Sequence, residues 1–361
     1  MEDLKKYQCP SCGGPLQFDA NTQKIVCEFC GSSYEEDYFN KEQETNTSDG
    51  IKKTKIDWLK EGFIKEKPLI ENQVGYDCTS CGAEIISDGN TAATECMYCG
   101  NPVVLNENVT GMVEPDMIIP FKIDKANAER ALSDFYKGKH LLPNTFKDQN
   151  RIKKIVGMYV PFWLFSGIGE GGLSLDGTKV TSIRSGNYNV TTTRFYKINR
   201  EGSLPFKKIP VDASKKMLDN YMDGIEPYKY EDLVDFNSAY MAGYFADKFD
   251  VNIDECAKRS QVRILNTTKD VLKNTATGYT TLTEMVNTIK ANHTDARYVL
   301  LPVWILNTKY NGKMYHFAIN GQTGKVAGDL PIDKRKQLFY GLGIFAITYI
   351  IVAMFVYMIY L

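Results

Sequence analysis

A chain of 361 residues with 43% hydrophobic and 24% charged residues is composed like a folded globular protein, which excludes a disordered one, and it is long enough for a large core plus small modules. A formal net charge of −1 excludes the global basicity of a general nucleic-acid binder. The three histidines, His140, His293 and His316, are far apart, and eight of the nine cysteines fall into C-x-x-C pairs, a pattern of metal-binding thiols in a reducing compartment rather than of disulfides.

The N-terminal MEDLKKYQ has no apolar run and is not a signal peptide. Residues 9–31, CPSCGGPLQFDANTQKIVCEFCG, place Cys9 and Cys12 fourteen residues before Cys27 and Cys30. Four thiolates at that spacing predict a closed, structural Zn²⁺ site, and glycine after each pair permits the tight turn in which backbone N–H groups point at sulfur. A module this small has little core of its own, so metal binding supplies its folding energy. Iron is the rival metal because CPSCG resembles a rubredoxin knuckle, but the separation is short for a rubredoxin and ordinary for a zinc ribbon. Shifted by 69 residues, the four cysteines land on Cys78, Cys81, Cys96 and Cys99, and Asp19, Asn21 and Thr22 land on Asp88, Asn90 and Thr91. The chain therefore carries a duplicated four-cysteine zinc ribbon, at 1–36 and 74–106, with Asp-x-Asn-Thr as the hairpin turn of each copy, and two Zn²⁺ per chain are expected. Between the copies, 37–73 reads as a polar linker followed by a short amphipathic helix with Ile56, Leu59 and Phe63 on one face beside Trp58.

Neither ribbon is built to bind nucleic acid. From Pro68 to Phe121 there is no lysine or arginine, while Asp77, Glu84, Asp88, Glu95, Glu107, Glu114 and Asp116 all fall there. Phosphate binding needs cations, and a zinc site of four thiolates adds negative charge, so the pattern disfavours nucleic acid and favours protein docking.

Residues 111–333 read as one larger mixed α+β domain with antiparallel hairpins. YVPFWLF at 159–165 resembles LPVWIL at 301–306, each an apolar strand leading into a hairpin, and Asn311-Gly312 and Asn320-Gly321 predict type I′ turns. Helical patterns cover about 213–224, 236–249 and 253–273. In the last of these Ile253, Cys256, Ala257, Ser260 and Ile264 share a face, making Cys256 a core residue rather than a nucleophile. Asp212, Asp219 and Asp223 are spaced for a solvated helix face. Gly167-Ile-Gly169-Glu-Gly171-Gly172 satisfies G-x-G-x-x-G but is followed by LSLDGTKV, with no helix to receive a pyrophosphate, so it reads as a flexible hairpin connection. No catalytic constellation, and no site for a small-molecule substrate, is legible.

Residues 338–361 contain no charge; as a helix they span about 36 Å, enough for a hydrocarbon core of roughly 30 Å. Lys334, Arg335 and Lys336 precede them, so the positive-inside rule places residues 1–337 in the cytoplasm of a single-pass, tail-anchored protein of the cell membrane.

The knuckles CPSCG and CEFCG, with IIPFKID at 118–124, YVPFWLF, IPVDASKKM at 209–217, LPVWIL and NGQTGKVAG at 320–328, resemble the bacterial membrane-anchored proteins with transcription factor IIB-type zinc ribbons. Members are often labelled after the primosomal helicase, though no helicase motif is present here. The resemblance implies a non-enzymatic membrane adaptor working with phage-shock-type or SPFH/flotillin-like proteins. The other class of function in view is a membrane-tethered nucleic-acid or transcription-linked factor, and a third is a rubredoxin-like redox protein.

Overall fold

The computed structural model describes residues 9–12, 14–35, 74–87, 95–99, 101, 103–106, 114–147 and 154–360. The amphipathic helix expected around Trp58 and the second Asp-x-Asn-Thr turn lie outside these residues. Among them the chain is mixed α+β. Strands β1 (Leu16–Asp19), β2 (Lys24–Cys27) and β3 (Ser33–Tyr34) form a small antiparallel sheet. In its turn the Asp19 carboxylate accepts hydrogen bonds from Asn21 N at 3.0 Å and Thr22 Oγ1 at 2.8 Å, as the Asp-x-Asn-Thr chemistry predicts.

The second sheet has twelve strands and runs through the rest of the molecule. β4 (Val74–Asp77), β5 (Glu84–Ser87) and β6 (Val104–Asn106) come from the second four-cysteine module, and β7 (Met117–Ile118) precedes helix α1 (Lys125–Phe135). β8 (Val156–Ser185) and β9 (Tyr188–Asp212) make one long hairpin, helix α2 (Asp219–Ile225) follows, and β10 (Val234–Asp235) and β11 (Phe245–Asp247) are short. Helix α3 (Ile253–Asn274), β12 (Thr281–Asn287), β13 (Lys290–Tyr310), β14 (Lys313–Asn320), β15 (Val326–Gly328) and helix α4 (Lys334–Tyr360) complete the chain. The principal order is β10-β7-β13-β8-β11-β5-β4-β6. β11 joins the second cysteine module to the body, pairing parallel with β8 and, on its other side, antiparallel with β5. The two resembling apolar segments are ladder neighbours: Tyr159 pairs with Pro302 and Trp163 with Tyr298. Between the layers Phe121 stacks on Tyr244 at 4.1 Å and meets Trp304 edge-on at 5.2 Å, an arrangement that couples IIPFKID to LPVWIL.

Several expectations are corrected. The helical stretch predicted at 213–224 is helical only from Asp219, and the one at 236–249 is a single 3-10 turn, Ser238–Met241, followed by strand β11. Asn237 caps that turn through Ala239 N, and Gly243, at φ +80°, ends it so that the chain can enter the sheet. Asn311-Gly312 has the positive φ pair of a type I′ turn, 49° and 80°. Asn320-Gly321 does not form one: the Asn320 side chain is buried, accepts from Gln322 N and Thr323 N and donates to Ile225 O, opening a wider loop closed by Gly324. The glycine run is not a flexible connection but the interior of β8. A Cβ on Gly169 would overlap Thr268 Oγ1, and one on Gly167 would lie 3.0 Å from Ile264 Cδ1, so glycine lets α3 lie directly on the strand.

Helix α3 buries Cys256, Ser260, Ile264, Thr268 and Leu272, a four-residue spacing on one face. Cys256 is fully buried, with its Sγ 3.6 Å from Asp212 O, and burial pushes its thiol up to about 12. Of the three aspartates, Asp219 and Asp223 do share the exposed face of α2, but Asp212 is buried and lies on a strand. Asp212 ends β9 and is 1% exposed; Arg259 reaches it at 3.0 Å and Asp219 at 3.2 Å, while Arg263 pairs with Asp223 and, at 3.1 Å, with Glu226. Burial raises the Asp212 carboxyl to about 6 against the opposing pull of Arg259.

Helix α4 is long and apolar enough to cross a membrane, and none of its apolar window is covered by the rest of the chain. Asp333 caps it through Arg335 N, and Lys336 Nζ donates to Leu142 O at 2.7 Å and Asn144 Oδ1 at 2.8 Å, tying the helix root to the body. Lys334 and Arg335 are exposed at that root. Within the apolar stretch the hydroxyl of Thr348 donates back to Ile344 O, so it brings no unsatisfied polar group.

Candidate metal centres

The eight paired cysteines converge into two groups of four, and within each group all sulfurs lie within 4.8 Å of one another. Cys9 Sγ lies 3.5 Å from Cys30 Sγ and Cys12 Sγ 3.5 Å from Cys27 Sγ; in the second group Cys78 to Cys99 is 3.5 Å and Cys81 to Cys96 is 3.6 Å. These distances are far too long for disulfides, whose sulfurs are about 2.05 Å apart. A metal bound to four thiolates at about 2.3 Å in tetrahedral geometry separates its sulfurs by roughly 3.8 Å, so both donor sets fit one tetrahedral ion each.

The local sequence explains the convergence. In each module a C-x-x-C turn follows a β-hairpin strand or loop end, and Cys27 and Cys78 open knuckles in which their carbonyls accept from Gly31 N at 2.8 Å and Gly82 N at 2.7 Å. Both glycines have positive φ, 73° and 66°, which a side chain would strain. Backbone and side-chain donors then aim at sulfur: Tyr98 N donates to Cys96 Sγ at 3.4 Å and Asn101 Nδ2 to Cys99 Sγ at 3.5 Å. Burial pushes the Cys9 thiol up, but the Tyr34 hydroxyl and the backbone of Ser11 and Cys12 outweigh it and bring it down to about 6. Cys78 is brought down to about 7 in the same way: burial raises it, while the backbone of Cys81 and Ser80 lowers it further. Each cluster thus holds a sulfur readily deprotonated at neutral pH. Four thiolates around one tetrahedral ion leave no position open for a further ligand.

The two clusters differ in their surroundings. The first module leans on the body through its hairpin. Phe18 N donates to Ala242 O at 3.0 Å, Gln23 Nε2 donates to Phe121 O at 2.7 Å, and Phe18 meets Tyr240 edge-on at 5.1 Å. Each of its knuckles turns one cysteine to solvent: Cys12 and Cys30 are exposed, and Phe29 on the second knuckle is 75% exposed. The second module is gripped at the knuckles themselves. Lys216 Nζ donates to Cys81 O at 2.5 Å, Asn307 Nδ2 donates to the carbonyls of Met97 and Tyr98, and Tyr98 OH lies 3.2 Å from Met158 Sδ. Behind Tyr98, Ser214 Oγ donates to the buried Asp247 at 2.5 Å, and burial raises that carboxyl to about 7.

Sequence reasoning found all eight sulfurs and none of these clamps. Lys216 and Ser214 lie in IPVDASKKM and Asn307 follows LPVWIL, so the signal was present as unassigned polar residues inside apolar motifs. One other nucleophile–base pair stands among the described residues, Ser260 Oγ and His293 Nε2 at 3.2 Å, but Ser260 is sealed between α3 and β8.

The chain is 35% identical over 344 residues to a protein of Bacillus subtilis (strain 168) described as uncharacterized protein YdjG, an alignment covering 95% of each chain. No family model matches the chain. No solved structure matches it either.

Proposed function

The chain belongs to the family of YdjG, and on that premise we propose that it is a non-enzymatic membrane adaptor. In this reading Cys9, Cys12, Cys27 and Cys30 hold one structural Zn²⁺, and Cys78, Cys81, Cys96 and Cys99 hold a second. Helix α4 crosses the cell membrane with Lys334, Arg335 and Lys336 at its cytoplasmic end, and the first zinc ribbon docks a cytosolic protein. SPFH/flotillin-like and phage-shock-type proteins are the partner classes that the family resemblance implies.

The observation that carries the reading is Phe29, 75% exposed on a knuckle whose hairpin is fastened to the body. A large aromatic held rigidly in water is the kind of residue that anchors protein interfaces. The alternative, a membrane-tethered nucleic-acid or transcription-linked factor, draws no support from the two ribbons, whose surfaces are acidic. The test is affinity capture from membranes with the intact chain and with Phe29→Asp, alongside zinc analysis. The adaptor reading expects about two zinc per chain in both proteins and loss of co-purifying proteins from the variant only. Equal recovery of the same proteins from both would remove the knuckle from the docking surface.

A further inference from the structure

The β8–β9 hairpin extends well beyond the body. β12 supports it as far as Thr178, which pairs with Thr281; past that point only two strands continue, from the pair Lys179–Arg194 to the pair Ser185–Tyr188. Every residue of these seven cross-strand pairs is exposed. A two-stranded ribbon in water is marginal by itself, and this one carries an added cost. Lys179 and Arg194 stand directly opposite each other on one face, and like charges so placed destabilise a ribbon.

Residues 177–200 contain five cations, Lys179, Arg184, Arg194, Lys197 and Arg200, and no carboxylate. With a formal net charge of −1 for the whole chain, the rest of the protein carries −1 − 5 = −6. Among the described residues none of the five makes a salt bridge. The Lys179 ammonium lies over the rings of Tyr196 and Tyr279, 5.5 and 5.0 Å from their centroids, contacts that hold it in place without neutralising it. Thr181 and Thr192, the next pair along the same face, add hydroxyl donors.

We propose that this arm is a nucleic-acid-binding ribbon that grips the phosphates of a duplex. Two strands about 4.8 Å apart form a ribbon narrow enough for a major groove roughly 12 Å wide. Rows of phosphate offset the Lys179–Arg194 repulsion, and hydroxyl side chains on both strands can donate to phosphate oxygens. A second copy of the arm brings the same positive charge and is disfavoured as occupant. A lipid surface is disfavoured by position. Val156 pairs with Ile305 near the end of β13 that abuts Phe146 and the root of α4, whereas the tip lies about 95 Å of strand contour further along β8. The assignment goes beyond the adaptor reading and is independent of the zinc ribbons, whose acidic surfaces remain unsuited to nucleic acid.

The experiment uses the full chain in a neutral detergent and a fluorescent DNA duplex of about 20 base pairs, followed by anisotropy between about 50 and 200 mM salt. Binding is expected with a slope of log K against log salt near −4, and Lys179→Gln/Arg194→Gln reduces its magnitude by about 2. Lys313→Gln, at the start of β14 beside the turn that joins it to β13, leaves the slope unchanged. Should the double variant fail to fold, Arg184→Gln serves instead, with an expected slope change of about 1. No retention of the duplex at about 50 mM salt, or a slope indifferent to the arm substitutions, overturns the proposal. So does displacement of the duplex by an equal charge concentration of poly-L-glutamate, which would assign the arm to an acidic protein.

Discussion

Gly169 shows how much of this fold depends on single atoms. Its missing Cβ is what allows α3 to rest on β8, and Gly169→Ala drives a methyl into Thr268 Oγ1. The expected loss is about 2–3 kcal/mol by chemical denaturation. Thr268 Oγ1 is buried with no hydrogen-bond partner, so Thr268→Ala should cost little alone and should restore part of the loss in the double variant. Asp212 makes a second test, through pH. Its folded-state carboxyl is raised to about 6, so the folded chain holds that proton more tightly than the unfolded chain does. The stability it contributes is therefore present below the ordinary carboxylate range, near pH 4, and is lost as pH rises through about 6. Asp212→Asn removes that loss. Between about pH 5 and pH 7.5 the variant should gain on wild type by at most about 2 kcal/mol in urea unfolding. A constant difference between the two proteins across that range would show that Asp212 does not titrate there. Asp212 is also where spacing misled. Its interval to Asp219 and Asp223 matches a helix face, but the helix starts only at Asp219, and β9 delivers Asp212 to the cluster from elsewhere in the chain.

At the scale of elements, the two four-cysteine modules share a pattern and differ in attachment. The first stands on a sheet of its own and touches the body through one hairpin; the second contributes β4, β5 and β6 to the main sheet and is held at Cys81, Met97 and Tyr98. Losing metal should therefore have unequal effects. Cys96→Ser is expected to lower the main unfolding midpoint by roughly 10 °C, and Cys30→Ser by less than about 3 °C, in calorimetry of the detergent-solubilised chain. Similar shifts for both would mean that the clamps carry no stability. The modules themselves were legible because a four-thiol donor set fixes residue type and spacing locally. Their attachment was not, since Lys216 reaches back 135 positions to Cys81 and Asn307 reaches 210 to Met97. Contacts that distant leave no periodicity to read. β11 escaped for a related reason: three residues of strand inside a helical-looking stretch are set by the neighbours they bridge, Met158 and Tyr159 on one side and Ile85 and Ile86 on the other.

For the molecule as a whole, the sequence conveyed the component modules and the long apolar C-terminal helix but not the shape. Alternating apolar residues predicted strands around Tyr159 and Trp304, yet nothing local announces that β8 runs unbroken for 30 residues, from beside the second cysteine module to the tip of the arm. Its middle is glycine-rich where α3 lies over it and its end is polar, so it looks like three different segments.

That single strand also has a mechanical meaning. The arm tip and the root of α4 lie at opposite ends of the β8–β13 ladder, which holds fifteen register pairs between Val156 and Glu170. A pull on the tip, away from the root of α4, runs along the ladder and loads its hydrogen bonds side by side, in shear. A sideways pull on the tip would instead open the arm one pair at a time. The molecule is thus stiff towards tension along its long axis and compliant across it.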